Sequence, residues 1–159
     1  MFIRLTIALV AAAVVATGSG CGGGGDSGAS AAQGDTSDKA TFLKLANAVC
    51  AKEGKDMIKE ANGYAKRHSS EKLPEDVSFA KLVKAVVVPT VEAEIAAVRK
   101  LGGPPKDKKQ IEATLAAQQA AADDVSKLKS LKSFDEVEEH FSKGTKRLKS
   151  YGLTECALG

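Results

Sequence analysis

Three cysteines and two histidines are the side chains with the widest chemical range in this 159-residue sequence. Cysteine serves as nucleophile, metal ligand, acylation site or half of a disulfide, and histidine as acid, base or ligand. His140 stands beside Glu139 and one helical turn after Glu136, a set able in principle to hold a divalent cation. The Glu-x-x-His spacing of di-iron bundles is absent, because Val137 lies three positions before His140 and no second such motif exists. The expectation for Glu136, Glu139 and His140 is therefore a solvated polar face, with no metal bound. His68 follows Lys66 and Arg67, as suits a helix C-terminus. The carboxylate neighbours Asp123-Asp124, Glu138-Glu139 and Glu92-x-Glu94 diverge around a helix, so none makes an acid–base dyad. No phosphate-binding glycine loop, Gly-x-Ser-x-Gly elbow or Cys-x-x-Cys pair occurs, and the expectation is a chain that is not an enzyme.

The elements that position these residues begin with a leader. Met1–Arg4 is a short positive start, Leu5–Ala16 is apolar apart from Thr6, and Thr17-Gly18-Ser19-Gly20 leads into Cys21. As a helix the apolar run would be about 18 Å long, short of the roughly 30 Å hydrocarbon core, so residues 1–20 read as a removable signal peptide. Small residues directly before a cysteine resemble a bacterial lipobox, which implies cleavage before Cys21 and a covalent diacylglycerol on its thiol. Gly18 stands where the lipobox usually has an aliphatic residue. Cleavage after Ala16-Thr17-Gly18, giving a secreted chain with a free Cys21, stays open beside it. Residues 22–37 are mostly Gly, Ser, Ala and Asp, with Gln33 and Thr36 and no large apolar group, so 21–37 reads as the lipidated cysteine followed by a flexible tether. Residues 38–159 form the folded domain. Its excess of Lys and Arg is mild and interspersed with acids, which argues against nucleic acid as a partner.

Within the domain, apolar residues recur at three and four positions, the period of amphipathic helices. A first helix runs from Asp38 to about His68. A second starts at Pro74 and carries the stripe Val77, Leu82, Val83, Val86, Val87, Val91, Ile95, Val98 and Leu101. Gly102-Gly103-Pro104-Pro105 ends it. A third spans about Lys106 to Leu131 and is rich in alanine. A fourth starts at a Ser133–Glu136 capping box and stops at Gly152, with Leu153 placed for a Schellman contact. No segment reads as a strand. Short connections predict an all-α, antiparallel up-down-up-down four-helix bundle.

Two features bear on sites within that bundle. Pro89 lies inside the second helix, where it removes a backbone bond near Ala85 and bends or breaks the helix. The bend could open a pocket lined by Met57, Tyr64, Val86, Val87, Pro89 and Val91, or could simply fit the helix around its neighbours. Cysteine parity concerns the rest: acylating Cys21 leaves Cys50 and Cys156 as a pair. A fourth helix of about 18 residues rises roughly 27 Å, which puts Tyr151 level with Cys50 and Cys156 within reach. A reactive Cys50 is the lesser expectation, because no histidine or cationic cluster accompanies it. Lys143, Lys146, Arg147 and Lys149 spread around the fourth helix and read as a solvated face rather than a headgroup-binding patch.

Cys21-Gly22-Gly23-Gly24-Gly25, Ala46-Asn47-Ala48-Val49-Cys50-Ala51-Lys52 and Tyr151-Gly152-Leu153-Thr154-Glu155-Cys156, in this layout, resemble a loose group of small helical-bundle lipoproteins of high-GC Gram-positive bacteria. The resemblance implies export, a lipid anchor on the outer face of the cell membrane and a Cys50–Cys156 disulfide. It implies no activity and no cofactor beyond the covalent lipid. The functional expectation is a non-enzymatic binding or scaffolding module whose partner is a cell-envelope protein, a polymer or a small solute.

Overall fold

The computed structural model describes residues 38–158. The expected signal peptide, the tether and Cys21 lie outside the described residues. From residue 38 the chain is helical, with no strand among the described residues.

Helix α1, Lys39–Arg67, is 29 residues long and begins where the Asp38 carboxylate accepts a hydrogen bond from Thr41 N at 2.8 Å. It buries Phe42, Ala46 and Cys50, a stripe with the four-residue repeat that faces its neighbours. Pro74 is the cap of the next helix rather than its first residue, and Ser78 N donates to its carbonyl at 2.9 Å.

The second rod is continuous through Pro89. It consists of α2, Glu75–Leu82, a π-helical turn, Val83–Val87, and α3, Val88–Leu101. In a regular helix the proline ring would press on the Ala85 carbonyl, which would also lose its donor. The wider turn absorbs that conflict: Val88 N bonds to Val83 O, five residues back, and the rod carries on. The Thr90 hydroxyl donates to Val86 O at 2.8 Å, just past the widened turn. The π turn also rotates the register, so that Val86, Val87 and Val88 are all buried; Val88 lay outside the predicted stripe.

Gly102 and Gly103 take φ values of 82° and 89° and turn the chain into α4, Lys108–Lys127. A Cβ on Gly103 would lie 2.7 Å from Ile111 Cδ1 and 3.1 Å from the Phe42 ring, so this turn is also a point of close approach. Helix α4 ends four residues before the expected Leu131. Leu131 leaves the helix because its N–H donates to Asp76 O at 3.1 Å, at the start of α2, while its side chain is fully buried. Of the α4 alanines, Ala121 and Ala122 are buried, whereas Ala113, Ala116 and Ala120 face solvent and contribute helix propensity rather than close packing.

Helix α5, Phe134–Tyr151, starts as the capping pattern predicts, with Ser133 Oγ accepting from Glu136 N. The Glu136 carboxylate reaches Lys132 N at 2.7 Å, one residue earlier than the reciprocal box would have it. At the other end Gly152 has φ 105° and Leu153 N donates to Leu148 O at 2.9 Å, with Leu153 fully buried: the Schellman ending is present.

The rods pack in sequence order, α1 on α3, α3 on α4 and α4 on α5, giving the four-helix bundle. The disulfide joins Cys50 to Cys156 with an S–S distance of 2.07 Å. Its approach differs from the expected one. Tyr151 is level with Phe42, not Cys50: the two rings meet edge to face at 6.3 Å, and Lys39 Nζ sits 4.2 Å from the Tyr151 centroid. The tail after Tyr151 then runs back along α1 to Cys50. The shift arises because Phe134 shares a cleft with Met57 and Ile58, so α5 does not begin at the foot of α1.

Candidate functional site

On α1, Asn47, Cys50, Gly54, Met57 and Ile58 recur at helical spacing and form one wall. Asn47 donates to Gly152 O at 2.9 Å and accepts from Glu155 N at 3.0 Å, and the disulfide follows one turn later. These ties lay residues 152–158 against α1. Between the tail, α1 and α3 lies an open cleft of about 410 Å³. Its apolar surface comes from Met57, Ile58, Phe134 and Leu158; Ile58 is 62% exposed and Phe134 41%. Gly54 adds no side chain, and a Cβ built there meets nothing within 4 Å.

Glu94 of α3 lines this cleft together with Cys50 and Cys156, and the same three residues line a smaller gap of about 10 Å³ on the inner side. The Glu94 carboxyl is half-buried and is pushed up from 4.5 to about 8, because burial strips it of water and the charge of Glu53 lies near. Neither a hydrogen bond nor an opposite charge stabilises its ionised form among the described residues. Gln118 of α4 lines the inner gap too. It is 3% exposed, and its Oε1 has no hydrogen-bond partner. Gly144 of α5 packs so closely on it that a Cβ there would lie 2.6 Å from Oε1.

No protein-family model, curated protein or solved structure matches this chain.

The residues expected at a Pro89 pocket are dispersed. Pro89 is exposed, Val86 and Val87 are closed into the core, Val91 lines the inner gap, and Met57 lines the outer cleft. Tyr64 belongs to a separate cleft of about 360 Å³ near the end of α1, where it stacks on His68 at 4.2 Å. His68 pairs with Glu71, which also receives Lys81 at 3.2 Å. Glu136 is engaged with Lys132 N, while Glu139 and His140 are exposed. No group of three or more His, Cys, Asp or Glu placed to hold a metal is found among the described residues. Lys143, Lys146, Arg147 and Lys149 are exposed, and Arg147 donates to Ala113 O at 3.0 Å.

Sequence reasoning missed Glu94 and Gln118. In the sequence Glu94 reads as one of a pair with Glu92 that diverges around a helix, and Gln118 sits in an alanine-rich helix face where an amide gives no periodic signal. The one available hint was helical spacing: Glu94 falls three positions after Val91, and Gln118 three after Leu115, each on a buried stripe.

Proposed function

We propose that this chain is an exported, lipid-anchored helical module that binds a partner at the outer face of the cell membrane and performs no catalysis. The observation that carries the reading is the Cys50–Cys156 disulfide. Such pairs persist in oxidising compartments, and this one uses two of the three cysteines. Cys21 is left as the odd thiol, behind small residues at the end of an apolar leader, where acylation accounts for it. Partners of this reading are a cell-envelope protein, a wall polymer or a small solute.

The small-solute reading draws its support from the cleft that Glu94 lines, not from Pro89. A volume of about 410 Å³ lies within the range of roughly 300–1,000 Å³ usual for ligand sites.

Intact mass measurement of the native membrane fraction, with a non-reducing peptide map, tests the anchoring reading. The expected product begins at a diacylglyceryl-modified Cys21 and contains a linked Cys50–Cys156 peptide. Unacylated protein beginning at Ser19 would overturn the anchor.

A further inference from the structure

We propose that the end of the bundle at which α1 begins is a docking surface for an anionic phospholipid bilayer, met through lysines that α1, α4, α5 and the turn before α4 bring together. This deepens the membrane-anchored reading and rests on it for the presence of a bilayer at that end.

Long-range contacts set these elements side by side. Lys39 Nζ lies 4.2 Å from the Tyr151 ring centroid, which joins the start of α1 to the end of α5. The Tyr151 hydroxyl donates to Asp107 Oδ2 at 2.8 Å and so adds the start of α4. A Cβ on Gly103 would lie 3.1 Å from the Phe42 ring, which adds the turn out of α3. Within two turns of this end the exposed cations are Lys39 and Lys44 on α1, Lys106 in the turn, Lys108 and Lys109 on α4, and Lys146 on α5. On α5 alone the cations spread around the helix, and only the fold assembles them with the others into one basic surface.

Little at this end neutralises them. The acids of these segments are engaged elsewhere: Asp38 accepts from Thr41 N, Asp107 from the Tyr151 hydroxyl, and Glu112 pairs with Arg99. Among the described residues no ion pair engages Lys39, Lys44, Lys106, Lys108, Lys109 or Lys146. Toward the opposite end acids stand among the cations: Lys59 meets Asp56, Arg67 meets Glu60, Lys81 meets Glu71 and Lys127 meets Asp124. Folding does not account for the difference. Lys108 and Lys109 fill the first turn of α4, and α1 likewise opens on Lys39 with no acid, whereas the helix dipole favours carboxylates at both places.

The path of the chain supplies the second argument. It enters the bundle at Asp38, on this same end, and sixteen residues separate Asp38 from Cys21. A lipid on Cys21 would bring this end to the bilayer first, where anionic headgroups attract lysines that come within about one Debye length.

The test is lysine acetylation by an uncharged reagent, read by mass spectrometry, on the native chain reconstituted into vesicles of phosphatidylcholine alone or with phosphatidylglycerol. In about 0.1 M salt, Lys39, Lys44, Lys106, Lys108 and Lys109 are expected to react about fivefold more slowly on the anionic vesicles, and Lys59 and Lys127 equally on both. Raising the salt to about 0.5 M is expected to remove the protection.

The triple variant Lys106→Glu, Lys108→Glu, Lys109→Glu is expected to lose the protection of Lys39 and Lys44. It should melt no lower than wild type, because acids suit the start of α4. The double variant Lys44→Glu, Lys146→Glu, on two other helices, is expected to lose the protection of Lys106, Lys108 and Lys109 and keeps the test valid if the triple variant unfolds. Equal acetylation on the two kinds of vesicle, protection that survives the higher salt, or undiminished protection in either folded variant overturns the surface. The two proposals fail separately. Chains found to begin at Ser19 without a lipid would overturn the anchor; added from solution, they are expected to sediment with the anionic vesicles only, and failure to do so overturns the surface as well.

Discussion

The side-chain amide of Asn47 donates to the carbonyl oxygen of Gly152 at 2.9 Å, across 105 positions of sequence. Its oxygen accepts from Glu155 N at 3.0 Å, so one half-buried side chain holds both ends of the turn that returns the tail to Cys50. Asn47→Ala removes a donor and an acceptor together and is expected to cost about 1–3 kcal/mol in urea unfolding. Asn47→Asp keeps the acceptor for Glu155 N but loses the donor to Gly152, and should fall between wild type and alanine.

Reduction removes a constraint spanning 106 positions. A closed loop of about 100 residues contributes roughly 4.7 kcal/mol in the chain-entropy account, and native pairs of this kind typically contribute about 2–5 kcal/mol. The Cys50→Ala, Cys156→Ala double variant is expected to stay helical by circular dichroism. Its Tm should drop by about 10 °C or more. An unchanged Tm would mean that the two thiols do not pair in the native protein.

Two glycines respond in opposite ways to alanine. Gly54 is a helical residue with open space around the added Cβ, and Gly54→Ala is expected to stabilise by about 0.5–1 kcal/mol. At Gly144 the same methyl would lie 2.6 Å from Gln118 Oε1 and 3.0 Å from its Cγ, inside a closed interface. Gly144→Ala is expected to destabilise by about 1–3 kcal/mol. Adding Gln118→Ala should recover part of the loss, a coupling that a double-mutant cycle measures.

The Glu94 carboxyl gives stability a particular pH dependence. Its ordinary value is 4.5 and its folded value about 8, so between them the unfolded chain releases a proton that the folded chain keeps. Fewer protons are bound by the unfolded state there, and stability falls as pH rises from about 4.5 to about 8. Glu94→Gln, which cannot ionise, is expected to match wild type at acid pH and to melt several degrees higher above 8. Thermal melts of the two proteins across this range measure the difference.

What was legible in the sequence was local. The Schellman ending at Gly152 and Leu153, the Ser133 cap and the Gly102-Gly103 turn each depend on a few adjacent residues. The period of the apolar stripe sufficed for the four rods. What escaped depends on partners remote in sequence. The apolar period carries the third helix to Leu131, yet the Leu131 N–H goes to Asp76 O, a contact no window around residue 131 contains. Pro89 announced a disturbance near Ala85 without saying that a π turn would absorb it. Cysteine parity and reach point to the Cys50–Cys156 pair, although Tyr151 lies level with Phe42 and not with Cys50. Glu94 and Gln118 come to line one gap only because α3 and α4 pack beside the disulfide.

The link between Cys50 and Cys156 encloses every connection between the rods. A protease that cuts once at residues 68–74, 102–107 or 128–133 therefore opens the circuit without freeing a fragment. Nicked molecules would run as one band until a reductant splits them in two. A single cleavage would therefore leave the C-terminal half attached to the N-terminal half, and loss of either half would follow only after reduction.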